Sequence, residues 1–203
     1  MKLARRRVPR ACVSDPWRGG WHHEARIVAS PNFGPRPIGG AIDLAIVHSI
    51  SLPPGVYGGD AIERLFTNRL DAAAHPAFAE VAGLQVSAHF VIRRDGELLQ
   101  FVAVHDRAWH AGVSSWRGRP NCNDRSVGIE LEGLEGRRFE AAQYAALARL
   151  LHDLRAAWPV AEVVGHEHVA PGRKRDPGSA FDWPRLARGL RALRGAPLRL
   201  PYA

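Results

Sequence analysis

The residues from 165 to 178 concentrate chemically reactive side chains in a short stretch. Two histidines, a lysine and an aspartate occur there, namely His166, His168, Lys174 and Asp176. The stretch also contains two prolines and three glycines, so it is predicted to be an irregular loop and neither a helix nor a central strand. Imidazole and carboxylate groups around one open position are typical of a catalytic zinc site. The loop is therefore predicted to supply two of three zinc ligands.

The third candidate ligand, His48, lies far back in the sequence. It follows residues 41–47, a short apolar run between a Gly-Gly pair and a Pro-Pro-Gly turn, which predicts a buried strand. Side chains at the ends of strands line the crevices in which ligands bind. Spacing alone leaves two questions open: whether His166 or His168 is the ligand, and whether Asp176 instead caps a backbone turn.

Hydrophobic periodicity predicts the elements that position these groups. An Asp-Gly pair at 95–96 predicts a hairpin, and residues 109–125 are predicted to form a long loop. Strands are predicted near 25–29 and at 41–47, 84–92, 98–104, 126–133 and 162–164, and helices at 58–68, 139–158 and 183–193. The predicted fold class is α/β of the α+β type, a single domain with a mixed central β-sheet flanked by helices.

Composition and charge exclude several functional classes. The net charge is +8, but five basic and no acidic residues lie in each of the segments 1–10 and 183–203, and the remainder is slightly acidic. Nucleic-acid binding is therefore not expected, and no run is apolar and long enough to span a membrane. Cys12 and Cys122 lack a pairing pattern, so both are expected to be free thiols in a reducing compartment. A cytoplasmic, monomeric protein is expected.

Five blocks of sequence, in order, resemble the AmpD-type N-acetylmuramoyl-L-alanine amidases. They are Ile46–Gly55, Ser87–Gly96, Arg107–Val113, Cys122–Gly133 and the loop that ends in Lys174-Arg175-Asp176-Pro177-Gly178, together covering the region from about 24 to 187. The resemblance implies the fold shared with peptidoglycan-recognition domains. It divides the chain into a basic arm at 1–23, a zinc amidase domain at 24–195 and a tail at 196–203.

The resemblance also implies an activity and a cofactor. These enzymes use Zn²⁺ to cleave the amide between N-acetylmuramic acid and L-alanine, and their cytoplasmic members act on 1,6-anhydro-muropeptides in cell-wall recycling. Motif positions imply His48, His166 and Asp176 as zinc ligands and leave His168 as a neighbour. They also imply Glu130 as the catalytic glutamate and Lys174 as the catalytic lysine. From the residues alone, Glu132 competes with Glu130, because it lies two positions along on the same face of a strand.

A small-molecule muropeptide is the expected partner. Arg107, Trp109 and His110 are candidates for contacting its sugar and its carboxylates, since arginine pairs bidentately with carboxylate groups. The alternative is a non-catalytic domain that binds muropeptides, as in related recognition domains that lack a zinc ligand. The presence of all three candidate ligands favours the enzyme.

Overall fold

A six-stranded sheet organises the computed structural model of the protein, which describes residues 15–193, 195 and 197–201. Its strands lie in the order β12-β5-β11-β6-β7-β3. These are β3 (Arg26–Ile27), β5 (Leu44–Ile50), β6 (Phe90–Ile92), β7 (Leu98–Gln100), β11 (Ser126–Glu132) and β12 (Glu162–Gly165). Short pairs add β1 (Trp17–Arg18) with β2 (Trp21–His22), β4 (Phe33–Gly34) with β8 (Arg107–Ala108), and β9 (Ser115–Trp116) with β10 (Arg119–Pro120).

Five α-helices complete the described part of the chain. They are α1 (Ala61–Phe66), α2 (Pro76–Ala79), α3 (Ala141–Ala157), α4 (His166–Val169) and α5 (Trp183–Ala192), with a 3₁₀ turn at Cys122–Asp124. The predicted class is confirmed: β12, β5, β11 and β6 pair in parallel, and β6 pairs with β7 in antiparallel. No helix in the described ranges is long and apolar enough to cross a membrane.

Both faces of the sheet are covered, but by different kinds of structure. On one face, α3 and α5 pack against alternate residues of the strands, such as Val47, Phe90 and Ile129. On the other face, α1 and α2 cover β6 and β7, whereas β5 and β12 pack against Ala111, the 3₁₀ turn at Cys122 and Val169 in the single turn of α4. This second face therefore leaves room for a site at the ends of β12, β5 and β11.

Several predicted elements are shorter in the structure, including the strand predicted at 98–104, which is confined to Leu98–Gln100. The helix predicted at 58–68 begins at Ala61, because Gly58 and Gly59 have φ angles of 78° and 65°, which a right-handed helix does not contain. The strand predicted at 84–92 is confined to Phe90–Ile92. Before this strand, the backbone N–H of Ser87 donates to the carbonyl oxygen of Trp109, which lies outside the central sheet.

The expectation that the 165–178 loop contains no helix was wrong. His166–Val169 forms one helical turn, because the prolines and two of the three glycines of this stretch come after residue 170 and leave the preceding residues free to coil. The turn of α2 was not predicted at all. The short strand expected near 25–29 is confirmed as β3 at the edge of the central sheet.

The basic arm lies partly outside the described residues, which exclude 1–14 and with them Cys12. Within the described part, Trp17 packs against the main core and His22 is buried, with its ring bonded to Asp153 of α3. Cys122 is a buried free cysteine. The division at residues 23 and 195 stays a prediction.

Candidate metal centre and catalytic groups

Three potential ligand atoms converge at the carboxyl ends of two parallel strands. Nδ1 of His48, near the end of β5, lies 2.9 Å from Nδ1 of His166, which directly follows β12. Oδ2 of Asp176 lies 3.2 Å from the first nitrogen and 3.1 Å from the second. The loop after α4 thus returns its carboxylate to the strand ends, and the predicted ligands are brought together.

The spacing of these atoms fits a zinc ion. Tetrahedral ligands held ~2.0–2.1 Å from zinc are separated by about 3.3 Å from one another, close to the three distances observed. The other ring nitrogen of His166, Nε2, lies 3.1 Å from the carbonyl oxygen of Ala111. Because a carbonyl only accepts, Nε2 carries the proton and Nδ1 has a free lone pair. Two imidazole lone pairs and a carboxylate cannot hydrogen-bond to one another, whereas a cation between them satisfies all three.

Burial controls the charge of these groups. It lowers the pKa of His48 to about 4, against the opposing effect of the nearby Asp176 carboxylate, so this imidazole is neutral at neutral pH. Burial alone would raise the pKa of Asp176, but its close contacts with the imidazoles of His166 and His48 outweigh that effect and hold the pKa well below the ordinary value. A neutral imidazole at His48 and an ionised carboxylate at Asp176 are protonation states that metal binding requires.

Glu130 faces this cluster from the neighbouring strand. The register of β11 and β5 places it directly opposite His48, and its Oε1 lies 4.0 Å from Nδ1 of that histidine. Its Oε2 is buried without a hydrogen-bond partner among the described residues. Burial, with repulsion from Asp176, raises its pKa well above 4.5, and Lys174 opposes that shift.

Glu132, the competing carboxylate, is committed elsewhere. Its Oε1 accepts from Nη1 of Arg93 at 2.8 Å and from the backbone N–H of Gly58 at 2.7 Å. Its Oε2 accepts from the N–H of Arg94. Only Glu130 is therefore placed near the ligand cluster with an oxygen available for a further contact.

Lys174 lies on an exposed loop beside the cluster. It lines a cleft of about 500 Å³ whose walls also include Ser49, Leu134, Arg173 and Asp176. Asp176 itself lines the cleft, so a molecule bound there would lie close to the three-residue cluster. The ammonium is close enough to Glu130 and His48 to influence the pKa of each.

The three candidate substrate contacts occupy different surroundings. Nε of Arg107 bonds Oδ1 of Asp124 at 2.5 Å, and Trp109 is half-buried beside Gly34. His110 lies behind His48, with its Nδ1 2.9 Å from Nε2 of that histidine. The assignment of all three to substrate binding stays a prediction.

The other loop histidine takes no part in the cluster. Nδ1 of His168 accepts from the backbone N–H of Gly165 at 2.8 Å, at the start of α4. Among the described residues, the group that could hold a metal contains His48, His166 and Asp176 but not His168. The side chain of Asp176 points at the imidazoles, so it does more than cap a turn.

Two residues near the cluster were not singled out from the sequence. Asn123 accepts the backbone N–H groups of His110 and Ala111 through Oδ1, which fixes the segment behind the ligands. Ser126 bonds the ring of His110. The signal for Ser126 was present, since it lies on the same face of β11 as Glu130, four residues before it.

A family model described as N-acetylmuramoyl-L-alanine amidase matches residues 38–179. The chain belongs to this family. It is 53% identical over 176 residues to the 1,6-anhydro-N-acetylmuramyl-L-alanine amidase AmpD of Salmonella typhimurium, covering 86% of this chain and 94% of the relative. It is 51% identical over 169 residues to AmpD of Escherichia coli, covering 82% and 92%. The resemblance seen in the sequence, and the expectation of an amidase, are confirmed.

Solved structures give the same result. A crystal structure of a selenomethionine AmpD derivative matches with a TM-score of 0.82 and 50% identity, over 86% of this chain and 97% of that one. The Escherichia coli amidase AmiD, in complex with anhydro-N-acetylmuramic acid-L-Ala-D-gamma-Glu-L-Lys, matches with a TM-score of 0.55 and 29% identity, over 76% and 60%. The amidase fold is therefore shared by an enzyme whose structure contains a muropeptide substrate.

Proposed function

We propose that the protein is a zinc-dependent hydrolase that cleaves the amide between 1,6-anhydro-N-acetylmuramic acid and L-alanine in muropeptides, during cell-wall recycling. The observation that carries the proposal is the cluster of His48, His166 and Asp176 beside the unpartnered carboxylate of Glu130. The specificity is supported by relatives of that activity that are about half identical over most of the chain.

The ligand set of the proposed zinc is His48, His166 and Asp176. Two neutral ligands and one carboxylate leave a bound Zn²⁺ with a net positive charge. Zinc in such a site supplies Lewis acidity, which activates water and polarises a carbonyl group. The protein contributes the fixed geometry, since both histidines are almost completely buried.

Glu130 is proposed as the general base and acid. Its free Oε2 is the atom positioned to take a proton from water, and the same carboxyl group would then give that proton to the leaving amine of L-alanine. Its raised pKa favours this role, because a carboxylate that is more basic than usual accepts a proton more readily.

Lys174 is proposed to stabilise the negative charge that develops on the carbonyl oxygen. Lys174 lines the same cleft as Asp176, and a donor of this kind typically lowers the barrier by ~2.7–4 kcal/mol. Arg173 also lines the cleft, but its guanidinium bonds the carbonyl oxygens of Ala111 and Val113. Of these two cations, Lys174 is therefore the one assigned to the reaction.

The substrate is proposed to be a small muropeptide bound by a monomer. The cleft offers cationic groups for the carboxylates of a peptide stem, and Arg107 and Trp109 remain candidates for its outer parts. A non-catalytic muropeptide-binding domain is the alternative, but it does not explain why a buried, unpartnered carboxylate faces a complete ligand set.

Metal analysis combined with mass spectrometry of a muropeptide digest tests the proposal. Wild-type protein is expected to contain about one zinc per chain and to release L-alanine-linked peptide from anhydro-muropeptide, and chelation should abolish the release. His166→Ala should lose both metal and cleavage, whereas His168→Ala, its matched control on the same helical turn, should keep both. Metal-free protein that cleaves at the wild-type rate would refute the proposal.

A further inference from the structure

His110 and Ser126 form a hydrogen-bonded chain behind the proposed ligand His48. Nε2 of His48 lies 2.9 Å from Nδ1 of His110, and Nε2 of His110 lies 3.3 Å from Oγ of Ser126. Oγ of Ser126 lies 2.6 Å from the carbonyl oxygen of Cys122. Serine and carbonyl are both buried, so neither relies on water.

The direction of this chain is fixed at its far end. The carbonyl of Cys122 can only accept, so the hydroxyl proton of Ser126 is directed to it. Oγ of Ser126 can then only accept from His110, so Nε2 of His110 carries the proton. A neutral imidazole has one donor and one acceptor, which makes Nδ1 of His110 the acceptor for Nε2–H of His48. The remaining nitrogen of His48, Nδ1, is left with a free lone pair at the metal position.

The strand makes room for this arrangement. Ser126, Gly128 and Glu130 occupy every second position of β11, so they lie on the same face of the strand. The ring of His110 lies over Gly128. A Cβ atom at that position would come 2.3 Å from Cγ of the ring, a distance that no packing tolerates. Glycine in the middle of a buried strand usually weakens it, so here it marks the close approach of the imidazole.

We infer that His110 and Ser126 are positioning residues that set the tautomer of His48, so that it presents Nδ1 to the metal. The inference rests on the metal site of the proposed function. The two ligands would then be fixed by the same device: His166 donates directly to the carbonyl of Ala111, and His48 donates to the carbonyl of Cys122 through two side chains. Contact with substrate is not part of this role, because both ring nitrogens of His110 are used within the protein.

Zinc affinity, measured by competition with a chromophoric chelator, tests the inference with matched variants. His110→Phe keeps a ring over Gly128 but removes the acceptor, and zinc should bind about 10–100-fold more weakly, as is usual when the partner of a metal ligand is lost. His110→Asn places Oδ1 near the position of Nδ1 and should restore most of the affinity. Ser126→Ala should weaken binding to a smaller extent.

Ser114→Ala is the control for Ser126→Ala. Ser114 is also buried and also hydrogen-bonds the 3₁₀ turn, through the N–H of Cys122, but it does not contact a histidine in this chain of bonds. It should bind zinc like the wild type. Equal zinc affinity in wild type and His110→Phe would overturn the inference, whereas absence of zinc from the wild type would refute the metal site itself.

Two further measurements separate positioning from substrate contact, and the first of them requires no variant. In long-range ¹H–¹⁵N spectra of the wild type, His110 should be the Nε2–H tautomer, and an Nδ1–H tautomer would overturn the inference. With zinc at saturation, His110→Phe should regain a wild-type KM. A KM that stays raised under those conditions would assign His110 to the substrate instead.

Discussion

Two buried carboxylates on one face of β11 have opposite surroundings. Glu132 receives hydrogen bonds from Arg93, Gly58 and Arg94, whereas Oε2 of Glu130 has no partner among the described residues. They are two positions apart in the same strand, so burial and strand geometry do not separate them. The neighbouring segments do: the turn after β6 and the loop before α1 supply donors to Glu132, whereas the cluster of His48, His166 and Asp176 faces Glu130.

The difference shows how one strand combines stability with chemistry. A carboxylate whose oxygens are all bonded has no oxygen free for a proton from water, and it serves to anchor Arg93. A buried carboxylate that lacks donors is costly to keep ionised, and that cost makes Glu130 ready to bind a proton. The reactive member of the pair is recognised by the hydrogen bonds that it lacks.

The largest expected effect is on catalysis by Glu130→Gln. The amide cannot accept the proton from water, so kcat should fall by about 10²–10⁴-fold, while the zinc content remains that of the wild type. The rate of peptide release at saturating muropeptide gives kcat, and metal analysis of the same sample is the control. A variant with more than a tenth of wild-type kcat would remove Glu130 from the mechanism.

Glu132→Gln should reverse this pattern. It leaves the buried guanidinium of Arg93 without one of its carboxylates, and losing one partner of a buried ion pair typically costs ~3–5 kcal/mol of the free energy of unfolding. Denaturant titration measures that loss. The activity per folded molecule should stay close to wild type, and a selective loss of kcat with unchanged stability would show that the two carboxylates had been assigned to the wrong roles.

Stabilisation of the protein by zinc should be independent of the hydrogen bonds made by Glu132. At a free zinc concentration of 100 times its Kd, the free energy of unfolding should rise by about 2.7 kcal/mol. The increment should be the same in wild type and Glu132→Gln, and it should be absent in His166→Ala, which lacks a ligand. Thermal unfolding with zinc and with a chelator measures it, and stabilisation of His166→Ala by zinc would place the metal elsewhere.

A pH dependence should distinguish Glu130 in the metal-free protein. Its pKa in the folded state is raised above 4.5 by burial and by Asp176, so as the pH rises above about 4.5 the unfolded chain releases a proton that the folded protein still holds. The free energy of unfolding therefore falls as the pH rises through this range. Glu130→Gln cannot titrate, so its stability relative to wild type should increase with pH. Urea titrations from pH 4.5 to 7.5 would contradict this if the difference stayed constant.

The candidate metal ligands can be predicted from the sequence, but not all of the contacts that position the site. In the sequence, His48 follows the apolar run 41–47 and Asp176 lies in a Gly- and Pro-rich segment, so both could be recognised as candidates. The choice of Glu130 over Glu132 depended on family resemblance, because the two residues are two positions apart and therefore lie on the same face of the strand. The physical reason for that choice lies in Arg93 and Gly58, which are distant in sequence and meet Glu132 only in the folded sheet.

Local rules failed where tertiary contacts decide the conformation. The turn of α4 forms inside a segment whose overall composition predicts a loop, and the position of His110 behind His48 depends on the missing side chain of Gly128. Neither follows from periodicity. By contrast, α3 was predicted closely, because it has a long stripe of apolar residues and Pro159 follows its end.

The order of the sheet also has a consequence for synthesis on the ribosome. β5 is apolar and central, and its neighbours β11 and β12 begin only at residues 126 and 162. At translation rates of about 5–20 residues per second, both edges of this strand stay unpaired for about 4–15 s after it is made. During that interval the nascent chain presents a ready template for pairing with another chain, so expression at high ribosome density should favour aggregation of this protein.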